Sequence, residues 1–207
     1  QAYVDTMNPT AIRAFLDSTH EKYYELLGDE FGKSIPAIFT DEPRMAPRKK
    51  RAVKITFAES HEDIILPYTE YCGEQMREKY GVDVLKKIPE YIWDLPGGEK
   101  SPLRYQYQEI LAECFVSSFL DQICDWCKDH GIYMTGHVLG EDSVSGQAWT
   151  LGDCMRCYRK MDLPGVDVLV DYRQFLTVKQ ASSVAKQNGK EGTVSELYGV
   201  TQWDCDF

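Results

Sequence analysis

The chain of 207 residues contains no run of 18 apolar residues, so no membrane-spanning helix is expected. It has no surplus of positive charge: 23 Lys and Arg stand against 33 Asp and Glu, for a net charge of −10. A phosphate backbone is bound by a basic face, so nucleic acid is not expected as a partner. No GxGxxG follows a strand-like run, and neither a Walker A sequence nor a GxSxG elbow is present. Dinucleotide, phosphate and serine-hydrolase chemistry therefore lose support. There is no fixed-period repeat and no low-complexity tract. The start at Gln1 shows no basic–apolar–small pattern of a signal peptide. A chain opening on Gln1 reads as a piece of something longer, which leaves a targeting segment upstream as an open alternative.

What is present fits one globular domain over residues 1–207, with 43% hydrophobic and 12% aromatic residues. Seven cysteines make an odd number, in a chain too large to need disulfide staples. Reduced thiols and a cytoplasmic location are the expectation. Cys124/Cys127 and Cys154/Cys157 have the CxxC spacing of a zinc site. The first pair, however, shares an apolar helical face with Phe119, Leu120 and Ile123, and neither pair has a Gly-rich turn to aim its thiolates. Buried thiols are expected there and zinc is the alternative. The basic run Arg44–Lys54, with Arg48, Lys49, Lys50 and Arg51, reads as a solvated loop that could carry a cation to an anionic substrate group.

Strand-like and helix-like segments alternate. Tyr3-Val4-Asp5 looks like the end of a strand. Asn8-Pro9 opens a helix, because Asn caps free amides and Pro fits the first helical position. Ile35–Thr40 is a short apolar strand. An insertion spans 44–100, with a small strand at 52–57 and helices at 63–80 and 82–88 separated by Gly81. A long helix runs from Leu103 to His130 and ends at Gly131. Then follow a strand at 132–138, a helix at 153–161, a strand at 166–170, a helix at 178–187 stopped by Asn188-Gly189, and a strand at 193–197. This rhythm predicts an α/β fold with a parallel sheet. Four complete strands are half of those a closed (β/α)8 barrel needs, so a partial barrel of TIM type with a helical insertion is expected, and an open sheet is the alternative.

Two acidic clusters close strands: Thr40-Asp41-Glu42-Pro43 and Ser195-Glu196-Leu197-Tyr198-Gly199. In parallel α/β barrels the C-terminal strand ends carry the chemistry. Two carboxyls facing one cleft, one protonated and one ionised, can split a glycosidic bond. Glu42 and Glu196 follow directly from apolar runs that would hold them rigidly. Glu141 and Asp142 close the strand at 132–138, and Asp171 the strand at 166–170. His137 could hydrogen-bond a sugar hydroxyl or orient a carboxylate. Trp149, Tyr172, Tyr198 and Trp203 fall on loops after the strands, where ring faces could stack on sugars. The plain alternative is that strand-end acids cap helices and the aromatics pack.

The strings Tyr3-Val4-Asp5-Thr6-Met7-Asn8-Pro9, Ile38-Phe39-Thr40-Asp41-Glu42-Pro43, Gly136-His137-Val138-Leu139-Gly140-Glu141 and Ser195-Glu196-Leu197-Tyr198-Gly199 resemble the catalytic barrel of large bacterial α-L-rhamnosidase-type glycoside hydrolases. The resemblance implies a barrel within a multidomain parent chain, a deoxy-sugar or related saccharide substrate, and hydrolysis with inversion, in some members with calcium near the sugar. It makes Glu42 the acid candidate and Glu196 the base candidate, with Glu141 in reserve for either. Asp41, His137, Trp149, Asp171, Tyr172, Tyr198 and Trp203 would contact substrate. The chain departs from the family in being far shorter. Two other readings stay open: a non-catalytic carbohydrate-binding or scaffold domain, and a metal-assisted barrel hydrolase or lyase using Glu42, His137, Glu141 and Glu196 as ligands.

Overall fold

The structure, a computed structural model, describes residues 3–45, 66–169 and 174–200. Four strands form one sheet in sequence order, all parallel: β1 Ala37–Thr40, β2 Tyr133–Gly136, β3 Leu163–Val168 and β4 Val194–Leu197. Parallel neighbours require long crossovers, and each crossover here is helical. Between β1 and β2 lie α3 Glu70–Tyr80, α4 Val84–Ile92, α5 Leu103–Phe115 and α6 Gln122–Asp129. Between β2 and β3 lie α7 Val144–Thr150 and α8 Cys154–Lys160, and between β3 and β4 lies α9 Phe175–Gln187. Ahead of β1 are α1 Pro9–Ser18, α2 His20–Leu27 and a 3-10 turn at Gly28–Glu30.

The local causes are visible at several ends. Asn8 Oδ1 accepts from the N–H of Thr10 at 3.0 Å and of Ala11 at 3.4 Å, and Pro9 occupies the first turn. Such a cap contributes about 1 kcal/mol. Gly81, with φ of 68°, ends α3 in the left-handed conformation that glycine adopts without strain. The long helix expected over 103–130 is present but changes pitch. A π-helical stretch, Val116–Asp121, joins α5 to α6. Its buried face, with Phe119 and Leu120, joins Leu111, Phe115, Ile123 and Cys127 in the core beneath Met134 of β2.

Where β1 and β2 end, the neighbouring backbones leave no room for a side chain. Gly136 has φ of 134°, and a Cβ there would stand 2.1 Å from Thr40 O. At Gly165 a Cβ would stand 2.5 Å from Gly136 O. Only glycine lets β1, β2 and β3 approach so closely at the end where the acidic motifs emerge.

Several expectations shift. The strand read at 166–170 is Leu163–Val168, starting three residues earlier because Leu163 and Pro164 pair with Thr135 and Gly136. The strand read at 132–138 stops at Gly136. The helix read at 82–88 runs Val84–Ile92, through Pro89. The small strand expected at 52–57, and most of the basic run, lie outside the described residues. No described helix is long and apolar enough to cross a membrane.

Candidate active site

Asp41 and Glu42 leave β1 at its C-terminal end. Glu42 adopts φ of 45°, a left-handed conformation strained for a residue with a Cβ. The chain beyond it is pinned on two sides: Thr6 Oγ1 donates to Arg44 O at 2.7 Å, and Met45 N–H donates to Thr150 O at 2.8 Å. Asp41 is 77% exposed, whereas Glu42 is half-buried.

His137 stands one residue beyond β2, its N–H donating to Thr40 O at 3.2 Å. Its imidazole is only 1% exposed and meets the Phe39 ring edge-on at 5.4 Å. Nε2 lies 2.9 Å from Glu196 Oε2 and 3.7 Å from Asp41 Oδ1. An ionised carboxylate only accepts, so the Glu196 bond assigns the proton to Nε2. Nδ1 is buried and without a hydrogen-bond partner among the described residues. His137 thereby ties together the ends of β1, β2 and β4.

Asp167, within β3, pairs in register with Glu196 of β4. One donor atom each from His137, Asp167 and Glu196 lie within 4.8 Å of one another. Burial pushes the Asp167 carboxyl above its usual range, His137 opposes that, and the charges of Glu196 and Asp41 add to it. Such a cluster can hold a proton between carboxyls, orient a water, or take a cation.

Glu141 lies deeper, 5% exposed. Its Oε1 accepts from Asp167 N–H at 2.9 Å and its Oε2 accepts from the Tyr158 hydroxyl. Burial pushes its carboxyl up to about 8; the Asp167 N–H opposes this, and the charges of Asp167, Asp142 and Glu42 reinforce it. The neutral acid is thus the prevalent form at neutral pH.

The sequence candidates divide accordingly. Asp41 and Glu196 both meet His137, and the charge of Glu42 reaches Glu141. Tyr198 follows β4 with φ of 62°. Trp149 is on helix α7, not on a loop. Gly146 lies within that helix and is required there, because a Cβ would stand 2.8 Å from Gly140 O. Trp149 is 53% exposed and lines a cleft of about 390 Å³ with Tyr91, Arg104, Gln108 and Ser145, and none of the clustered acids lines it. Asp171, Tyr172 and Trp203 lie outside the described residues. Asp167 was missed: its sign in the sequence is a lone acid inside the apolar run Val166–Val170.

The donor sets for metals differ from those expected. Glu141 has both oxygens engaged, and Asp167 joins His137 and Glu196 instead of Glu42. An imidazole with two carboxylates suits a transition metal. It falls short of the six to eight oxygens that calcium takes, so the calcium of the resemblance does not fit this trio. The CxxC pairs sit on α6 and α8, and the four thiols form no metal-binding group among the described residues.

No protein-family model matches the chain. No curated protein matches it either. Among solved structures it is similar to a rhamnosidase from Novosphingobium sp. PP1Y, with a TM-score of 0.68 and 19% identity over 94% of this chain. The chain spans 17% of the length of that rhamnosidase chain. The likeness is one of fold: an α/β chain with a parallel four-stranded sheet, consistent with part of a barrel.

Proposed function

We propose that this chain carries the acid–base face of a glycoside hydrolase that acts on α-L-rhamnosides or related deoxy-sugar glycosides with inversion. Glu196 is the base. The observation that carries this is the 2.9 Å bond from His137 to Glu196, at the strand end where Asp41 and Asp167 also gather. A buried imidazole N–H held against a carboxylate fixes its orientation, as a water-activating base requires. Glu42 is the acid. Its left-handed backbone supports this role, since strain of about 1–3 kcal/mol at a non-glycine residue is found chiefly at functional sites. Asp41 and Tyr198, on the same strand ends, would contact the sugar.

The test is turnover of an aryl α-L-rhamnoside by the full-length protein carrying Glu42→Gln or Glu196→Gln. Each change keeps shape and hydrogen bonding but removes proton transfer. Each is expected to lower kcat by about 10²–10⁴-fold, with an unchanged circular dichroism spectrum. Near-normal rates in both would sink the assignment.

A second reading, metal-assisted hydrolysis, is favoured by the His137–Asp167–Glu196 trio alone. It predicts stoichiometric Mn²⁺ or Zn²⁺ binding that Asp167→Asn abolishes, and the glycosidase reading predicts none.

A further inference from the structure

The pairing of β2 with β3 ends at Gly136↔Pro164, while that of β3 with β4 begins at Gly165↔Val194. Past Pro164, therefore, no β2 residue pairs with β3, and Gly136 O beside Gly165 is the last β2 backbone close to it. An unpaired, partly buried amide costs about 1–3 kcal/mol. Asp167 N–H escapes that cost because Glu141 Oε1 accepts from it at 2.9 Å. Glu141 is itself held from three further elements. The Tyr158 hydroxyl of α8 donates to its Oε2, and Gln147 of α7 and Gln180 of α9 donate to its backbone carbonyl at 3.2 and 3.0 Å.

We propose that Glu141 is a positioning residue for the strand-end cluster: its carboxyl replaces the sheet rung that β2 vacates and so fixes Asp167 beside His137 and Glu196. The bond itself stands on geometry alone, and its link to turnover rests on the glycosidase reading above. The substitution that separates positioning from proton transfer is Glu141→Gln. Its amide oxygen still accepts from Asp167 N–H, and its amide N–H2 can donate to the Tyr158 oxygen once that hydroxyl turns. Glu141→Leu removes the acceptor at similar volume.

Amide hydrogen exchange, resolved at Asp167 in the full-length protein, reads the brace directly. Protection equal to wild type is expected in Glu141→Gln. In Glu141→Leu a loss of at least tenfold is expected at Asp167, with α5 and α9 unchanged. Should Glu141→Leu not fold, Tyr158→Phe, which loosens the same carboxyl, is expected to lower protection at Asp167 and leave α5 protected. Unchanged protection at Asp167 in the folded member of this pair overturns the proposal. Turnover supplies the second readout. Glu141→Gln is expected to keep kcat within about tenfold and to keep the pH profile. A collapse as deep as that of Glu196→Gln, with Asp167 still protected, would make Glu141 catalytic and overturn the positioning role. If the wild-type protein hydrolyses no glycoside, the function fails while the exchange pattern still decides the brace.

Discussion

Glu141 makes the stability of this fold depend on pH in a direction opposite to that of an ordinary salt-bridged carboxylate. Its carboxyl, 5% exposed, is pushed up from 4.5 to about 8. Below about 4.5 it is protonated in both the folded and unfolded chain, and its stabilising contribution is fully present. Between about 4.5 and 8 the unfolded chain releases the proton and the folded chain keeps it, so that contribution is lost as pH rises through the window. The shift corresponds to on the order of 3–5 kcal/mol, with a maximal slope of about 1.4 kcal/mol per pH unit. Glu141→Gln keeps the hydrogen bonds and removes the titration. Urea unfolding of both proteins at pH 5, 6, 7 and 8 isolates the effect as a difference, because every other titrating group is common to the pair. The wild-type protein is expected to lose several kcal/mol relative to Glu141→Gln between pH 5 and 8. Parallel stability profiles would refute the reasoning and mean that Tyr158 O–H and Asp167 N–H hold the ionised carboxylate in its site.

Two further outcomes follow from packing and burial. Gly136→Ala places a methyl 2.1 Å from Thr40 O at φ of 134°, so thermal unfolding is expected to show a loss of at least about 2–3 kcal/mol, from backbone strain and overpacking together. The thiols of Cys127 and Cys154 are pushed up to about 12 by burial, and that of Cys157 well above 9. With so little thiolate, all three are expected to resist iodoacetamide at pH 8 in the folded protein and to react promptly in 6 M guanidinium. Rapid native alkylation of Cys157 would contradict this packing.

The readings that local chemistry carries were legible in the sequence. Asn8-Pro9 opens a helix, Gly81 closes one, and Thr40 and Leu197 end strands with acids just beyond or within them. The parallel order was legible too, because helix-length segments separate every pair of strands. What was not legible depends on partners distant in sequence. Glu141 looks like Glu42 in a string of letters, yet Tyr158 and the Asp167 amide, 17 and 26 residues on, make one a buried brace while the other stays half-exposed. Asp167 was passed over because the strand read at 166–170 sets it inside the run and Asp171 at the end, whereas β3 starts at Leu163-Pro164 and ends at Val168, one residue beyond Asp167. Trp149 looked like a loop residue because Gly146 weakens the helical pattern, and only the approach of Gly140 explains that glycine. The CxxC spacings, which look like ligand pairs, are steps along two helix faces.

Glu42 and Tyr198 both hold left-handed backbone that glycine or asparagine would adopt more readily. Selection for thermal tolerance alone would therefore drift toward Gly or Asn at position 42, relaxing the turn while erasing its carboxylate. A library sorted first for heat resistance and then for turnover should meet a conflict at this position, and the depth of that conflict measures how much stability the chain forgoes to keep a glutamate there.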